Sequence, residues 1–437
     1  MNASLNSDST VVVTNNAFLW STVITMASSL YQVLQSIYQE HLQSLPDTST
    51  KLKGYEFYEK TLGSPKYIVG PMVEQSELAW RILCRRYNAQ LCYTPMFHSK
   101  LFSDPIHGYK YQDDQWSTNA EDRPLIVQFC GNDPDTLLKA AKMVEHQCDA
   151  IDLNLGCPQY IAKKGRYGSF LQDDWDLIYK LISTLDKHLQ VPVTAKIRVF
   201  SSETKTVNYS KMLIEAGAQL LTVHGRLREQ KGHHTGLADW SKIKAVKQQC
   251  PQVPVIANGN ILYHDDVQHC LDTTGADGVM SAENNLYNPT LFTASDMPPF
   301  TFDIALEYLD ICSTVALTRP VIIKAHLFKL FHASLPVHTD LRDRLAVCNS
   351  ADEMYKITLE LKDRIQREVD PAKDIVDVNP ETGIKTYAAW RCQPYFRQKP
   401  VIDHQQASND KRREKAIEAL KRKKALLLEN KQTIHGH

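Results

Sequence analysis

The feature that most restricts the fold of this chain is an alternation. Between residues 65 and 300, eight short runs rich in Val, Ile and Leu are separated by stretches of helical length. The runs are YIVGPM (67–72), LCYTPMF (91–97), PLIVQFC (124–130), DAIDLNL (149–155), VPVTAKIRV (191–199), QLLTVHG (219–225), VPVIANG (253–259) and ADGVM (276–280). Amphipathic stretches lie between them at 76–87, 134–147, 173–189, 207–217, 239–249 and 264–275, and only the link after the second run shows no clear helical pattern. Continuous apolar strands joined by helix-length connections are parallel strands covered on both faces. Eight such units over about 235 residues match an α/β fold of the (β/α)8 barrel type. A doubly wound open sheet is the competitor, but it usually has fewer strands and a Gly-rich first turn, whereas the first run here leads into GPMVEQS.

After residue 300 the strand pattern stops. Helical spacing at 302–317, 320–335, 341–349 and 351–369 predicts a small helical bundle. The expected organisation is an N-terminal extension of unassigned role (1–63), a barrel (64–300), a helical domain (301–375), and a linker with a basic tail (376–437). With 437 residues and 43% hydrophobic content, the chain can bury a sizeable core. Formal net charge is zero, yet KRREKAIEALKRKK (411–424) holds eight Lys or Arg against two Glu, so positive charge is gathered at one end. That segment is a candidate RNA-phosphate contact, with a solvated helix or a nuclear-localisation-like cluster as the alternatives.

Composition also excludes. The first fifty residues hold no Lys or Arg, so no secretory or mitochondrial targeting segment is expected. Residues 11–38 are apolar but interrupted by Asn, Ser, Thr and Gln, which argues against a membrane span and leaves a candidate amphipathic helix over 24–43. Ten cysteines without a CxxC pair or regular spacing predict a reducing compartment and no metal site.

In a barrel the C-terminal ends of the strands face one mouth. Here those ends carry Pro71, Met72 and Val73; Gln128; Asn154 and Cys157; Lys196 and Arg198; His224 and Arg226; Asn258, Gly259 and Asn260; and Ser281, Ala282 and Glu283. Each alone is weak, and a single Lys or His in a strand is usually structural. Polar groups recurring at strand end after strand end indicate a site. Lys196 and Arg198, two apart, share a strand face and could meet an electron-rich ring, an anion or a substrate. The small residues of ANGN and SAEN would let backbone amides approach a phosphate. Cys157, in IDLNLGCPQY, could be a buried small hydrophobe, half of a disulfide, a metal ligand or a reactive thiol.

NLGCPQYIAKKGRYGSFL (154–171), PMVEQSELAWR (71–81), TAKIR (194–198), TVHGRLREQKG (222–232) and VIANGNI (255–261) together resemble the tRNA-dihydrouridine synthases, in particular the eukaryotic type that acts on uridines 16 and 17 of the D-loop. The resemblance covers about residues 64–300 and extends weakly into the helical part. It implies an FMN-dependent oxidoreductase with a TIM barrel and a C-terminal helical domain. Such an enzyme uses NADPH or NADH to reduce FMN, and then passes hydride to a uracil C5=C6 bond in tRNA.

Carried over by position, the resemblance implies that Pro71, Met72 and Val73 lie along the flavin edge and that Gln128 hydrogen-bonds it. Lys196 and His224 would contact ring or ribityl oxygens, and Asn258, Gly259, Asn260, Ala282 and Glu283 would surround the phosphate. Asn154 and Arg198 would face the substrate. Cys157 would protonate C5, a role that needs a thiol rather than a thiolate. Lys163, Lys164 and Arg166 are expected on a mobile loop, contacting RNA phosphate. Ala282-Glu283 stands where many members have Gly-Arg, so Arg226 is expected to supply the charge, and Ser169 replaces a usual Ala without evident consequence. No metal is expected. A cytoplasmic monomer is, with the nucleus as a further location. The rival readings are a flavin enzyme acting on a free pyrimidine and a non-catalytic RNA-binding barrel.

Overall fold

A computed structural model describes residues 51–232 and 235–396 of the chain. The expected helix over 24–43 and the basic segment 411–424 lie outside the described residues.

Eight parallel strands, β1 (Tyr67–Val69), β2 (Leu91–Tyr93), β3 (Leu125–Cys130), β4 (Ala150–Leu155), β5 (Val193–Arg198), β6 (Ala218–His224), β7 (Val255–Asn258) and β8 (Gly278–Ser281), pair in chain order. The ring closes where β8 returns to β1, with Met280 beside Ile68. This is the barrel that the alternation predicted.

Most strands are shorter than the apolar runs, and the second run resumes past Pro95 as a two-residue strand, Phe97–His98, paired with β3. Pro71 and Pro95, which lack an N–H for the ladder, follow β1 and β2 closely, and the residues beyond them form the mouth. The link after β2 does contain helices, at Ser99–Phe102 and Gly108–Gln115. Periodicity could not reveal them, because the first is a single turn and the second buries only Gly108.

The outer helices bury one stripe each. In Trp175–His188, Ile178, Leu181, Ile182 and Leu185 face the sheet at helical spacing, and the Asp174 carboxylate caps the start by accepting the Leu177 N–H. Inside the ring, Ile68, Leu91, Tyr93, Ile126, Ala150, Leu220, Ile256 and Met280 form a second core. Helix Gly54–Lys60 closes its N-terminal end, since Phe57, Tyr58 and the following Leu62 belong to the same cluster. Each such side chain removed from water stabilises the fold by about 2 kcal/mol. Residues 54–62, which carried no assigned role in the sequence, thus stop the bottom of the barrel, and its polar chemistry is confined to the other end.

Four helices follow, Thr301–Thr314, Pro320–Leu330, Thr339–Val347 and Ala351–Glu368. Their junction with the barrel is polar at its centre. Glu77 accepts the Tyr308 hydroxyl at 2.7 Å and pairs with His326 Nε2 at 3.0 Å, while Trp80 stacks on the His326 ring at 4.1 Å. Burial pushes the Glu77 carboxyl up, but His326 and Tyr308 together outweigh it and leave the pKa below its ordinary value. The chain then returns to the barrel end, where the Cys392 N–H donates to Pro299 O at 2.9 Å. Among the described residues no helix is long and apolar enough to cross a membrane.

Candidate active site

Register brings the inward-facing residues of neighbouring strands level. Asp152 of β4 lies between Gln128 of β3 and Thr194 of β5, Asn154 lies beside Lys196, and Arg198 beside His224, which in turn neighbours Asn258. Most of the strand-end residues singled out in the sequence therefore meet at one mouth, as period-two alternation requires.

One fully buried carboxylate there was passed over in the sequence. Asp152 is fully buried; it accepts Thr194 Oγ1 at 2.6 Å and Gln128 Nε2 at 2.8 Å. Gln128 Oε1 accepts Asn154 Nδ2 at 2.8 Å, and Asn154 Oδ1 accepts the N–H groups of Cys157 and Gly156 at 2.9 and 3.1 Å. Gln128 and Asn154 thus give most of their hydrogen-bonding capacity to one another and to the loop after β4. One hydrogen on each amide nitrogen is left over from these bonds, that of Gln128 at a fully buried position.

Cys157 is half-buried on that loop. Its carbonyl accepts both the N–H and the hydroxyl of Ser169, at 3.1 and 2.9 Å. Ser169 therefore has a consequence the sequence did not suggest, because an Ala there could not donate the second bond. Burial raises the Cys157 pKa against the lowering effects of the Gln159 N–H and of the charges on Arg198, Lys196 and Lys231. The thiol is protonated at neutral pH. Lys163 and Lys164 sit on a short helix, Tyr160–Gly165, rather than on an open loop, and with Arg166 they are solvent-exposed. Buried Ala162, packed with Cys130 and Tyr167, holds that turn down.

Lys196 and Arg198 do share a face but differ in duty. Lys196 Nζ donates to Asn258 Oδ1 at 2.9 Å, and burial first and Arg198 second lower its pKa to about 8. Arg198 donates to the carbonyls of Gly156 (2.8 Å), Leu227 (2.8 Å) and Gln230 (3.0 Å), tying the Cys157 loop to the loop after β6. Among the described residues neither cation forms an ion pair with a carboxylate. His224 is held well below its ordinary pKa by burial and by Lys196, Arg198 and Arg226. Arg226 Nη1 lies 3.0 Å from His224 Nε2 and can only donate, so this neutral imidazole carries its proton on Nδ1.

The far side of the mouth is built from loops. Asn260 exchanges two hydrogen bonds of 2.8 Å with the Ala238 backbone, and Gly259 and Asn260 both adopt positive φ (112° and 65°). Arg226, expected to stand in for the missing guanidinium, donates to Gly236 O and Asn260 Oδ1 and so braces this loop. Ala282 precedes the short helix Glu283–Tyr287, and Glu283 is exposed. Across the mouth Pro71 and Met72 are half-buried and Val73 exposed, with the turn pinned by Ser76 Oγ to the Met72 backbone.

A protein-family model described as dihydrouridine synthase (Dus) matches residues 67–363. The chain belongs to the dihydrouridine synthase family. It is 49% identical over 372 residues to a Saccharomyces cerevisiae protein named tRNA-dihydrouridine(16/17) synthase (NAD(P)(+)), covering 79% of this chain and 87% of that one. The Schizosaccharomyces pombe protein of the same name is 48% identical, with coverages of 80% and 92%. A Homo sapiens protein named tRNA-dihydrouridine(20a/20b) synthase-like is 35% identical over 248 residues, 55% of this chain and 76% of that one.

Within this family's fold, Asp152 and Thr194 are the residues the sequence reading missed, and Ser169 is one it named without seeing its contact. A signal for Asp152 existed, because a carboxylate two residues before Asn154 in an apolar strand must share its inward face. No comparable signal exists for Ser169, whose contact depends on how the loop folds back on Cys157.

Proposed function

We propose that this chain reduces the C5=C6 bond of uridine 16, uridine 17 or both in the D-loop of tRNA, with FMN as cofactor, NADPH or NADH as reductant and Cys157 as proton donor. The observation that supports the reading is a half-buried thiol, Cys157, at the same mouth as a half-buried lysine, Lys196, that has an amide oxygen and no carboxylate as its partner. The higher identity to relatives named for positions 16/17 than to the one named for 20a/20b supports the position.

The residues present fit a flavin by their donor chemistry. Lys196, half-buried without a carboxylate partner, would sit against the electron-rich side of the ring, beside the spare Gln128 amide hydrogen and the His224 imidazole. Gly259 and Asn260 would bring backbone amides to the phosphate, with Asn258, Ala282 and Glu283 around it, and Pro71, Met72 and Val73 would line the ring edge. When bound, FMN supplies the hydride that goes to C6. Cys157 gives its proton to C5 and is reprotonated from solvent. Asn154 and Arg198 chiefly hold the loop that carries the thiol, with one Asn154 N–H and the Arg198 Nη2 group left for the substrate.

A uridine stacked in folded tRNA must turn out of its stack to reach this depth. The loop after β4 supports an RNA partner, since Tyr160 is 78% exposed on the same short helix as the exposed Lys163 and Lys164, with exposed Arg166 just beyond it. A cytoplasmic or nuclear location suits such a substrate.

The test is to incubate the flavin-loaded protein with NADPH and unmodified tRNA and to map dihydrouridine by position. Dihydrouridine at 16 or 17 is expected, and Cys157→Ala should keep flavin and tRNA binding while losing most product. Full turnover by that variant, a colourless protein, or reduction of free pyrimidines without tRNA would overturn the reading.

A further inference from the structure

Asp152 is a buried carboxylate that the reaction above does not use. It forms no ion pair among the described residues, and burial, opposed by its hydrogen bonds and by Lys196, lifts its pKa to about 6. An unpaired carboxylate at such depth is costly and demands a reason.

The reason lies in what a carboxylate cannot do. Ionised, it accepts hydrogen bonds and never donates. Gln128 must therefore turn Nε2 toward Asp152, which leaves Oε1 on its far side, where Asn154 Nδ2 donates at 2.8 Å. Asn154 must then present Oδ1 to the N–H groups of Gly156 and Cys157. Reversing Gln128 would set oxygen against carboxylate and NH2 against NH2, and reversing Asn154 would set NH2 against two backbone N–H groups. The chain has one direction, anchored by an acceptor at one end and two donors at the other.

We propose that Asp152 is a positioning residue for proton transfer: as the fixed acceptor at the start of this chain, it holds the Gly156–Cys157 backbone and so sets where Cys157 Sγ stands. This rests on the reading of Cys157 as the proton donor. Thr194, donating to the other carboxylate oxygen, fixes the rotamer of Asp152 itself.

The experiment compares Asp152→Leu, Asp152→Asn and Cys157→Ala as flavin-loaded proteins by rapid mixing. Leu removes the acceptor and frees Gln128 to turn. Asn can still face Gln128 with its oxygen while its NH2 meets Thr194 Oγ1. Expected for Asp152→Leu is turnover by tRNA slowed roughly tenfold or more, a loss larger than any change in flavin reduction by NADPH or in KM for tRNA that the freed Gln128 and Asn154 amides bring; Asp152→Asn should recover most of it. A purely structural defect would lower flavin content and raise KM together. Wild-type turnover by Asp152→Leu, or equal losses in the Leu and Asn variants, overturns the inference. If Asp152→Leu does not fold, the near-isosteric pair Asp152→Asn with Thr194→Val, which lets the amide face Gln128 with either atom, should show the same split, and wild-type turnover by it is equally contrary. An active Cys157→Ala removes the underlying reading, and this inference with it. An inactive Cys157→Ala beside a fully active Asp152→Leu sinks the inference alone.

Discussion

Replacing Gly168 by Ala should disable proton donation while leaving the barrel intact. Gly168 has φ +64°, and a Cβ there would meet Cys157 O at 2.8 Å, Cys157 Cβ at 3.0 Å and Cys157 N at 3.3 Å. Two costs follow. A non-glycine residue in the left-handed region costs about 1 kcal/mol. The contact is worse, because an ordinary carbon contact begins near 3.5 Å, so Cys157 or residue 168 must move by roughly 0.5 Å. Neither yields readily, since the Cys157 N–H is held by Asn154 and its carbonyl by Ser169. Movement of that size at a reacting group costs on the order of tenfold to a hundredfold in rate.

The assay separates the two half-reactions. Flavin reduction by NADPH should be unchanged, and oxidation by tRNA should slow by about tenfold or more. Gly63→Ala is the control for backbone strain alone, having φ +74° and no atom within 4 Å of the new Cβ. It should lose stability but not turnover. Wild-type oxidation by Gly168→Ala, or equal losses in both variants, would refute the reasoning.

Two further outcomes are expected. Lys196, its pKa brought down to about 8 mainly by burial, is a cation below that pH and neutral above it. Flavin affinity should therefore fall as pH rises through about 8, with proton uptake on binding seen by calorimetry in buffers of different ionisation enthalpy, and Lys196→Met should abolish both effects. For the flavin-free chain the sign is opposite, because an unfolded lysine titrates near 10.5, so this group's contribution to stability grows between pH 8 and 10.5. At the junction, His326→Ala leaves the Glu77 carboxylate with the Tyr308 hydroxyl and its own backbone N–H, and should lower unfolding free energy by about 3 kcal/mol. A loss below about 1 kcal/mol in a urea titration would mean that Glu77 simply takes up a proton.

The barrel was legible because its information is periodic. Eight apolar runs and their helical spacers stand in the sequence, and strand alternation alone places Lys196 with Arg198 on one face. The mouth was legible only as a list of residue types. Nothing in the order of residues says that Arg198 turns its guanidinium to three carbonyls rather than to a ligand, or that Arg226 braces Asn260, because those partners come from loops 29 to 42 residues away. Helix Gly54–Lys60 escaped for another reason. It buries Phe57 and Tyr58 in the end of the ring, a surface that exists only once the strands have closed.

The electrostatics of the mouth also decide which group should limit activity at high pH. A thiol surrounded by cations normally ionises early. Here Arg198 directs three of its N–H groups at carbonyls, Lys231 donates to Pro158 O, and burial prevails, so Cys157 titrates above its ordinary 9.0. Lys196 titrates near 8, and its deprotonation removes one of the charges that lower the Cys157 pKa, driving the thiol higher still. The two titrations are ordered, with the cation lost first and the proton donor last. The alkaline limb of a pH profile should then report Lys196. A Lys196→Arg variant, charged across the whole range, should move that limb upward toward the Cys157 pKa, whereas a limb left where it was in this variant would refute its assignment to Lys196.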